Sequence, residues 1–220
     1  MKFLSLLTQL LVLAILVALT SCKTTLQKET AMKDQQATPV VIRSAYVGTY
    51  TREEGHVNGR ATGIYYAEVD TDTGEMTLKD STARIVNPSF VKSSRDGEML
   101  YAVSETGDGE IFSYKIEENH ELTLVNKLPT GAPAPCHISV DHTDKYVIVS
   151  NYMGGVVNIC ARGTDGTLTE IQRLELNTNR AEKESHAHSA TFSPDNKYVF
   201  VMDLGKDRLW HYKFDEKRVN

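Results

Sequence analysis

An all-β chain built as a β-propeller is what this sequence predicts, on three observations. From Val41 onward no apolar stripe of period 3.6 runs longer than two turns, whereas apolar and polar residues alternate over strand-length runs. Turn-forming clusters separate those runs. One strand–turn–strand block occurs three times, with Glu105, Asn151 and Asp203 as its equivalent last residues, 46 and 52 positions apart. Repeats of about 40–50 residues mark propeller blades. A β-sandwich is the rival fold, disfavoured because sandwich strands need not recur at a fixed long period.

The 220 residues suffice for one well-buried domain. Twenty-four basic against twenty-nine acidic side chains leave a net charge of −5, with 40% hydrophobic and 24% charged residues. That balance excludes both a disordered chain and a basic nucleic-acid binder, so no nucleic-acid partner is expected.

Taken from the amino terminus, the first element is an address. Met1 and Lys2 precede an apolar run from Phe3 to Leu19 broken by Ser5, Thr8 and Gln9, the form of a secretion signal. The alternative is a membrane-spanning anchor, which needs about 20 apolar residues. Leu19-Thr20-Ser21-Cys22 resembles the bacterial lipoprotein box, in which the cysteine becomes the lipidated first residue. The expected organisation is a signal over 1–21, a polar tether over 22–40 and a partial propeller over 41–220. Cys22 would then anchor the protein in the bacterial cell envelope, attachment resting on acyl chains because the acidic chain has no polybasic patch. Cys136 and Cys160 read as small hydrophobes rather than as a disulfide framework.

Strands follow. Ala45 to Tyr50 is a degenerate first copy of the repeat. Phe112, Tyr114 and Ile116 share one face of a strand, with Ser113 and Lys115 on the other; Trp210, Tyr212 and Phe214 repeat the pattern. Asp72-Thr73-Gly74, Asp96-Gly97, Asp165-Gly166 and Pro194-Asp195-Asn196 supply the reversals. Roughly 180 residues at this period make about four blades. The last stops just after a third strand, so the chain is expected to be the amino-terminal part of a longer protein. In isolation its end sheets would expose unpaired edges and associate.

Equivalent positions of successive blades meet around a propeller axis. Self-comparison places Phe90, His137 and His188 in one column, and Glu105, Asn151 and Asp203 in another. His186 and His188, two apart on a strand, are expected to share a face. Three readings stand for them: a metal pair completed by His137 or Asp203, acid–base chemistry near neutrality, or ordinary structural histidines. No established zinc spacing is present, so no metal or other cofactor is assigned. Arg208 suits a carboxylate or phosphate clamp, or else neutralises Asp207 or Asp203. Asn151 reads a ligand hydroxyl or only caps its turn. His56, His120, His142 and His211 lie in turns or outer strands and carry no signal.

Several blocks together resemble the seven-bladed propeller lactonase family. They are Val47-Gly48-Thr49-Tyr50-Thr51, Gly63-Ile64-Tyr65, Asn87-Pro88-Ser89-Phe90, Leu100 to Glu105, Pro135-Cys136-His137, Ser150-Asn151-Tyr152, His186-Ala187-His188-Ser189 and Asp203-Leu204-Gly205 with Asp207-Arg208. Two departures are Ser104, where the family often has asparagine, and Ser185, where proline often stands. The resemblance implies hydrolysis of a sugar lactone, with His188 as base or proton shuttle and His186 beside it. It implies His137, Asn151, Asp203, Arg208 and Glu105 as substrate-binding residues, no cofactor, and a monomer when full length. The family's arginine and glutamate belong to the next blade, beyond Asn220, so these residues alone are expected to be inactive. Export favours an unphosphorylated lactone. The alternatives are a non-catalytic binding propeller and a lactonising cycloisomerase.

Overall fold

The computed structural model describes residues 41–55, 57–178 and 183–216. Residues 1–40, over which a signal, Cys22 and a tether are expected, and His56 lie outside the described residues. Residues 42–70 and 74–216 belong to one compact unit. In the other, the Thr71 amide and hydroxyl both donate to the Val41 carbonyl.

All regular structure among the described residues is β. In chain order, β1 (Ile42–Val47) is followed by a ribbon of β2 (Glu53–Glu54) and β3 (Val57–Asn58). Then β4 (Ile64–Asp70) pairs with β1 and with β5 (Met76–Ala83) in a three-stranded sheet of order β1-β4-β5. The second sheet is β6 (Val91–Ser93), β7 (Met99–Ser104), β8 (Glu110–Ile116) and β9 (Leu122–Pro129). The third is β10 (Pro135–Val140), β11 (Tyr146–Asn151), β12 (Val156–Arg162) and β13 (Leu168–Glu175). The fourth is β14 (Ala187–Phe192), β15 (Tyr198–Asp203) and β16 (Arg208–Lys213). Each of these three sheets is an antiparallel meander in sequence order, the form of a propeller blade.

The second strand of each blade explains why the sheets stack. Met99-Leu100-Tyr101-Ala102-Val103 is buried throughout, because alternate side chains enter two different interfaces. Leu100 and Ala102 pack with Ile64 of the preceding sheet and with Ile85 in the segment that follows β5. Met99, Tyr101 and Val103 pack with Ile138, Val147 and Val149 of the following one. One blade on, Tyr146 and Ile148 face Ala190, Phe192 and Val201. A strand apolar on both faces cannot be satisfied by one sheet, so neighbours complete each other's core.

Turns lock the blades at the rim where the first strands end. Gly97, Asp144 and Asn196 each take a left-handed conformation (φ 77°, 57° and 60°) at equivalent turn positions. The Asp144 carboxylate accepts the Arg95 and Asp96 amides of the preceding blade at 2.8 and 3.0 Å. Asn196 likewise accepts from the His142 amide and donates to Asp141 at 2.8 Å. Across the boundary that Asp144 locks, the largely buried Arg162 guanidinium meets Asp96 at 2.8 Å.

The ladders correct the repeat register by one residue. Pairing ends at Ser104, Asn151 and Asp203, so these three are equivalent, and Glu105 corresponds to Tyr152 and Leu204. Pro135 pairs with Asn151 as Ala187 pairs with Asp203, and both first strands then skip a residue, Cys136 and His188. His188 is therefore equivalent to Cys136, and His137 to Ser189. The misalignment comes from matching side-chain types, a histidine with a histidine and an acid with a polar strand end, whereas the ladder fixes equivalence by backbone pairing.

Candidate functional site

Three backbone bonds repeat at the rim opposite the locking turns. The amides of Glu105, Tyr152 and Leu204 donate to the carbonyls of Asn87, Ala134 and His186 at 3.0, 2.8 and 2.9 Å. Each bond ties the residue after a second strand to the entry of its first strand, so the side chains that follow the strands are carried to the mouth. Asn87 is wholly buried with φ 45°, and its Oδ1 accepts from the amides of Thr51 and Arg52. That clamp places Tyr50 beside Glu105.

At the mouth the Tyr50 hydroxyl donates to Glu105 Oε2 at 2.9 Å, and the Ser89 hydroxyl donates to the same oxygen. Burial and then the Glu105 carboxylate push the Tyr50 phenol up to about 12, so it remains a donor at neutral pH. A cavity of about 280 Å³ opens here, walled by Tyr50, Glu105, Pro133, Tyr152 and Met153.

Tyr152 joins this cavity to the histidines. The His186 ring stacks on Tyr152 (4.5 Å between centroids, 5° between planes), and its Nδ1 lies 3.0 Å from the Tyr152 carbonyl oxygen. A carbonyl only accepts, so Nδ1 is the donor in this contact and Nε2 is the ring nitrogen left for another partner. His188 is exposed and meets the same tyrosine edge-on at 5.4 Å. The two histidines thus converge on Tyr152. They do so through a stack and an edge contact, not by strand alternation, because His186 precedes β14 and His188 occupies its bulge.

His137 lies deeper, packed on Phe90 at 4.6 Å. Burial, then Lys92, then His188 push its imidazole down to about 4, so it is neutral at pH 7 and a poor base there. Its Nδ1 is buried without a hydrogen-bond partner. In the unfolded chain this histidine protonates near 6.5, so acidification from about 6.5 to about 4 favours unfolding. The expected result is a melting temperature that falls over that window, and falls less in His137→Phe; equal slopes for the two proteins would refute the assignment.

Asn151 and Asp203, expected in contact with substrate, are both buried, and the Asn151 Oδ1 has no hydrogen-bond partner among the described residues. Asn151 is wholly buried, its amide nitrogen donating to the Val156 carbonyl and to Asn158 at 3.0 and 2.7 Å. Asp203 is 2% exposed and accepts four donors: the hydroxyl of Ser185, the amides of His186 and Lys206, and the Trp210 indole. Burial alone would raise its carboxyl, but those donors outweigh it and hold the group below the usual range. Asp203 acts on the site by fixing the His186 backbone. Gly205 completes the fit, since a Cβ there would stand 2.0 Å from the Glu184 carbonyl oxygen and 2.8 Å from the His186 ring. Arg208 is exposed, its guanidinium 5.5 Å over the Trp210 ring, and lines a shallow open depression with His188 and Asp207.

Both described cysteines are free, and burial first, then a nearby glutamate, pushes each thiol up to about 12. Neither is a thiolate nucleophile at neutral pH. Among the described residues no group of three or more His, Cys, Asp or Glu is placed to hold a metal ion. Side-chain reading missed Tyr152 as a site residue. Its signal was positional: in the correct register it takes the place of Glu105 one blade on.

Comparison with known proteins agrees with this architecture. The family described as lactonase, 7-bladed beta-propeller, matches residues 44–220. A 6-phosphogluconolactonase of Bacillus subtilis is 33% identical over 177 residues, covering 78% of this chain and 49% of the relative. One from Formosa agariphila is 31% identical, with 76% and 49% covered. The solved structure of a periplasmic gluconolactonase from Pseudomonas aeruginosa superposes with a TM-score of 0.70 at 27% identity, covering 81% of this chain and 52% of that one. The chain spans about half the length of the curated relatives it matches.

Proposed function

Because the chain belongs to the seven-bladed β-propeller lactonase family, we propose that it serves the hydrolysis of a sugar lactone at the mouth where its blades converge. The observation that carries this reading is the convergence itself. Glu105, Tyr152, His186 and His188 come from three blades, yet the two histidines meet on one tyrosine that shares a cavity wall with the glutamate.

Opening a lactone needs water made nucleophilic and donors for the charge that develops on the carbonyl oxygen. His188, exposed to solvent, takes the proton from the attacking water. His186, fixed with Nδ1 protonated, presents Nε2 as a neighbouring proton acceptor. Neutral His137 and the Tyr50 hydroxyl supply uncharged polar contacts, and Arg208 reaches an acidic group of substrate or product from the rim. Asn151 and Asp203 hold the frame.

For location, we propose a lipid-anchored protein of the bacterial cell envelope, supported by the Leu19-Thr20-Ser21-Cys22 box and by the Pseudomonas neighbour being named as periplasmic. One experiment addresses both points. The longest gene product containing these residues is expected to hydrolyse glucono-δ-lactone in a pH-stat assay, and His188→Ala to lower kcat by on the order of 10²-fold. Unchanged turnover in that variant would retire the assigned base. Mass spectrometry of the same preparation is expected to show Cys22 acylated and amino-terminal; an intact Met1 would refute the anchor.

A further inference from the structure

We propose that Asn177 is a positioning residue for His186; the proposal rests on the lactone-hydrolysis reading above. Tyr152 belongs to the turn that leaves β11, and His186 to the segment that enters β14. The stacked rings and the 3.0 Å contact of His186 Nδ1 with the Tyr152 carbonyl oxygen therefore cross a blade boundary. Asp203 fixes the His186 amide from within the fourth sheet. The distance across the boundary needs a further hold. Asn177, an exposed residue just past the end of β13, bonds to both sides. Its Oδ1 accepts the Ser185 amide at 2.7 Å, one residue before His186, and its Nδ2 donates to the Gly154 carbonyl at 2.9 Å, two residues after Tyr152. One partner can only donate and the other can only accept, so these neighbours fix the orientation of the Asn177 amide.

The turn it holds is the softer side of the pair. Gly154 and Gly155 take φ of 93° and 61°, and neither carries a side chain to stiffen the backbone between Tyr152 and β12. Gly155 also lets the two segments touch, since a Cβ there would stand 2.5 Å from the Ser185 Cβ and Oγ. The anchor itself is firm. Next to Asn177, the Leu176 amide donates to the Gly155 carbonyl at 2.9 Å, and the Leu176 carbonyl accepts from Lys206 Nζ at 2.7 Å. Asn177 thus ties an anchored backbone to a glycine turn on one side and to the entry of the histidine strand on the other. Without its two bonds the turn drifts, and Tyr152 with it. Reacting groups misplaced by about 1 Å cost on the order of 10²-fold in rate, so even partial loosening of the His186–Tyr152 pair registers in kcat.

The test uses the longest gene product containing these residues and the variants Asn177→Ala, His186→Ala and the two combined. Asn177→Ala is expected to lower kcat for glucono-δ-lactone at least about fivefold, with KM within about twofold of the parent's and the melt unchanged. In the His186→Ala background the same change is expected to cost nothing further, since a residue that acts through another has no effect once that other is gone. The His186 imidazole resonances, assigned by their loss in His186→Ala, are expected to lose the ring-current shift of the Tyr152 stack in Asn177→Ala. Equal losses in both backgrounds, unmoved His186 resonances, or an unchanged kcat in an active enzyme would each overturn the positioning role. Displaced resonances in a protein that hydrolyses no lactone would uphold the placement of His186 by Asn177 and sink the hydrolase reading. Should Asn177→Ala lower the melt, Asn177→Asp carries the same test, because it keeps the acceptor for Ser185 and loses only the donor to Gly154.

Discussion

Replacing Ile148 by aspartate is expected to unfold the domain, whereas Ile148→Val leaves it folded with a melting temperature only a few degrees lower. Ile148 is wholly buried, in a cluster with Val157 and Ile159 of its own sheet and Ala190, Phe192 and Val201 of the next. A fully buried Ile contributes about 1.5–3 kcal/mol by leaving water. Aspartate forfeits that and leaves an unpaired charge, for a total loss of about 3–5 kcal/mol or more. Domains are stable by only about 5–15 kcal/mol, so this loss removes most of the margin. Val keeps the apolar contact and costs about 0.5–1.5 kcal/mol. Circular dichroism melts of the two variants decide the matter: an aspartate variant melting within a few degrees of the parent would mean that this blade boundary is not packed as described.

The second large effect is expected at Asp203. Asp203→Ala removes the acceptor of four donors from a side chain that is nearly wholly buried, leaving the Ser185 hydroxyl, two amides and the Trp210 indole unpaired. Each orphaned buried donor costs about 1–3 kcal/mol before relaxation, and a total near 3–5 kcal/mol is expected once water and neighbours respond. The depressed carboxyl adds a sign to the pH dependence. Its stabilisation is present above the carboxyl's unfolded value and is lost as pH falls through the lower folded one, so the parent loses its advantage over Asp203→Ala in strong acid. The variant also frees the His186 amide, so the ring is expected to leave the Tyr152 stack. Retention of the ring-current shift on the His186 imidazole resonances in Asp203→Ala, together with an unaltered melt, would show that the carboxylate holds nothing in place.

The two substitutions probe different parts of what the sequence revealed. Ile148 was legible, because a run such as Tyr146-Val147-Ile148-Val149 flanked by turn residues announces a strand buried on both faces. Asp203 was legible as a strand-end acid but not as a saturated hub, since its donors come from Ser185, His186, Lys206 and Trp210, whose approach no linear spacing encodes. The same limit applies to the histidines. Alternation predicted that His186 and His188 would share a face, and the structure reaches a similar convergence by another route, a bulge and a tyrosine from the neighbouring blade.

By itself the sequence determined the all-β class, the turns, the near-fifty-residue period and the polar character of the strand ends, because each follows from local propensity and from alternation that any strand must obey. Tertiary structure alone decided the register by one residue, the burial of Asn151 and Asp203, the neutral His137 and the place of Tyr152. Those outcomes depend on which blade packs against which, and on bulges, burial and donors contributed across a boundary. Side chains about fifty residues apart acquire their protonation and their partners only once the sheets have met.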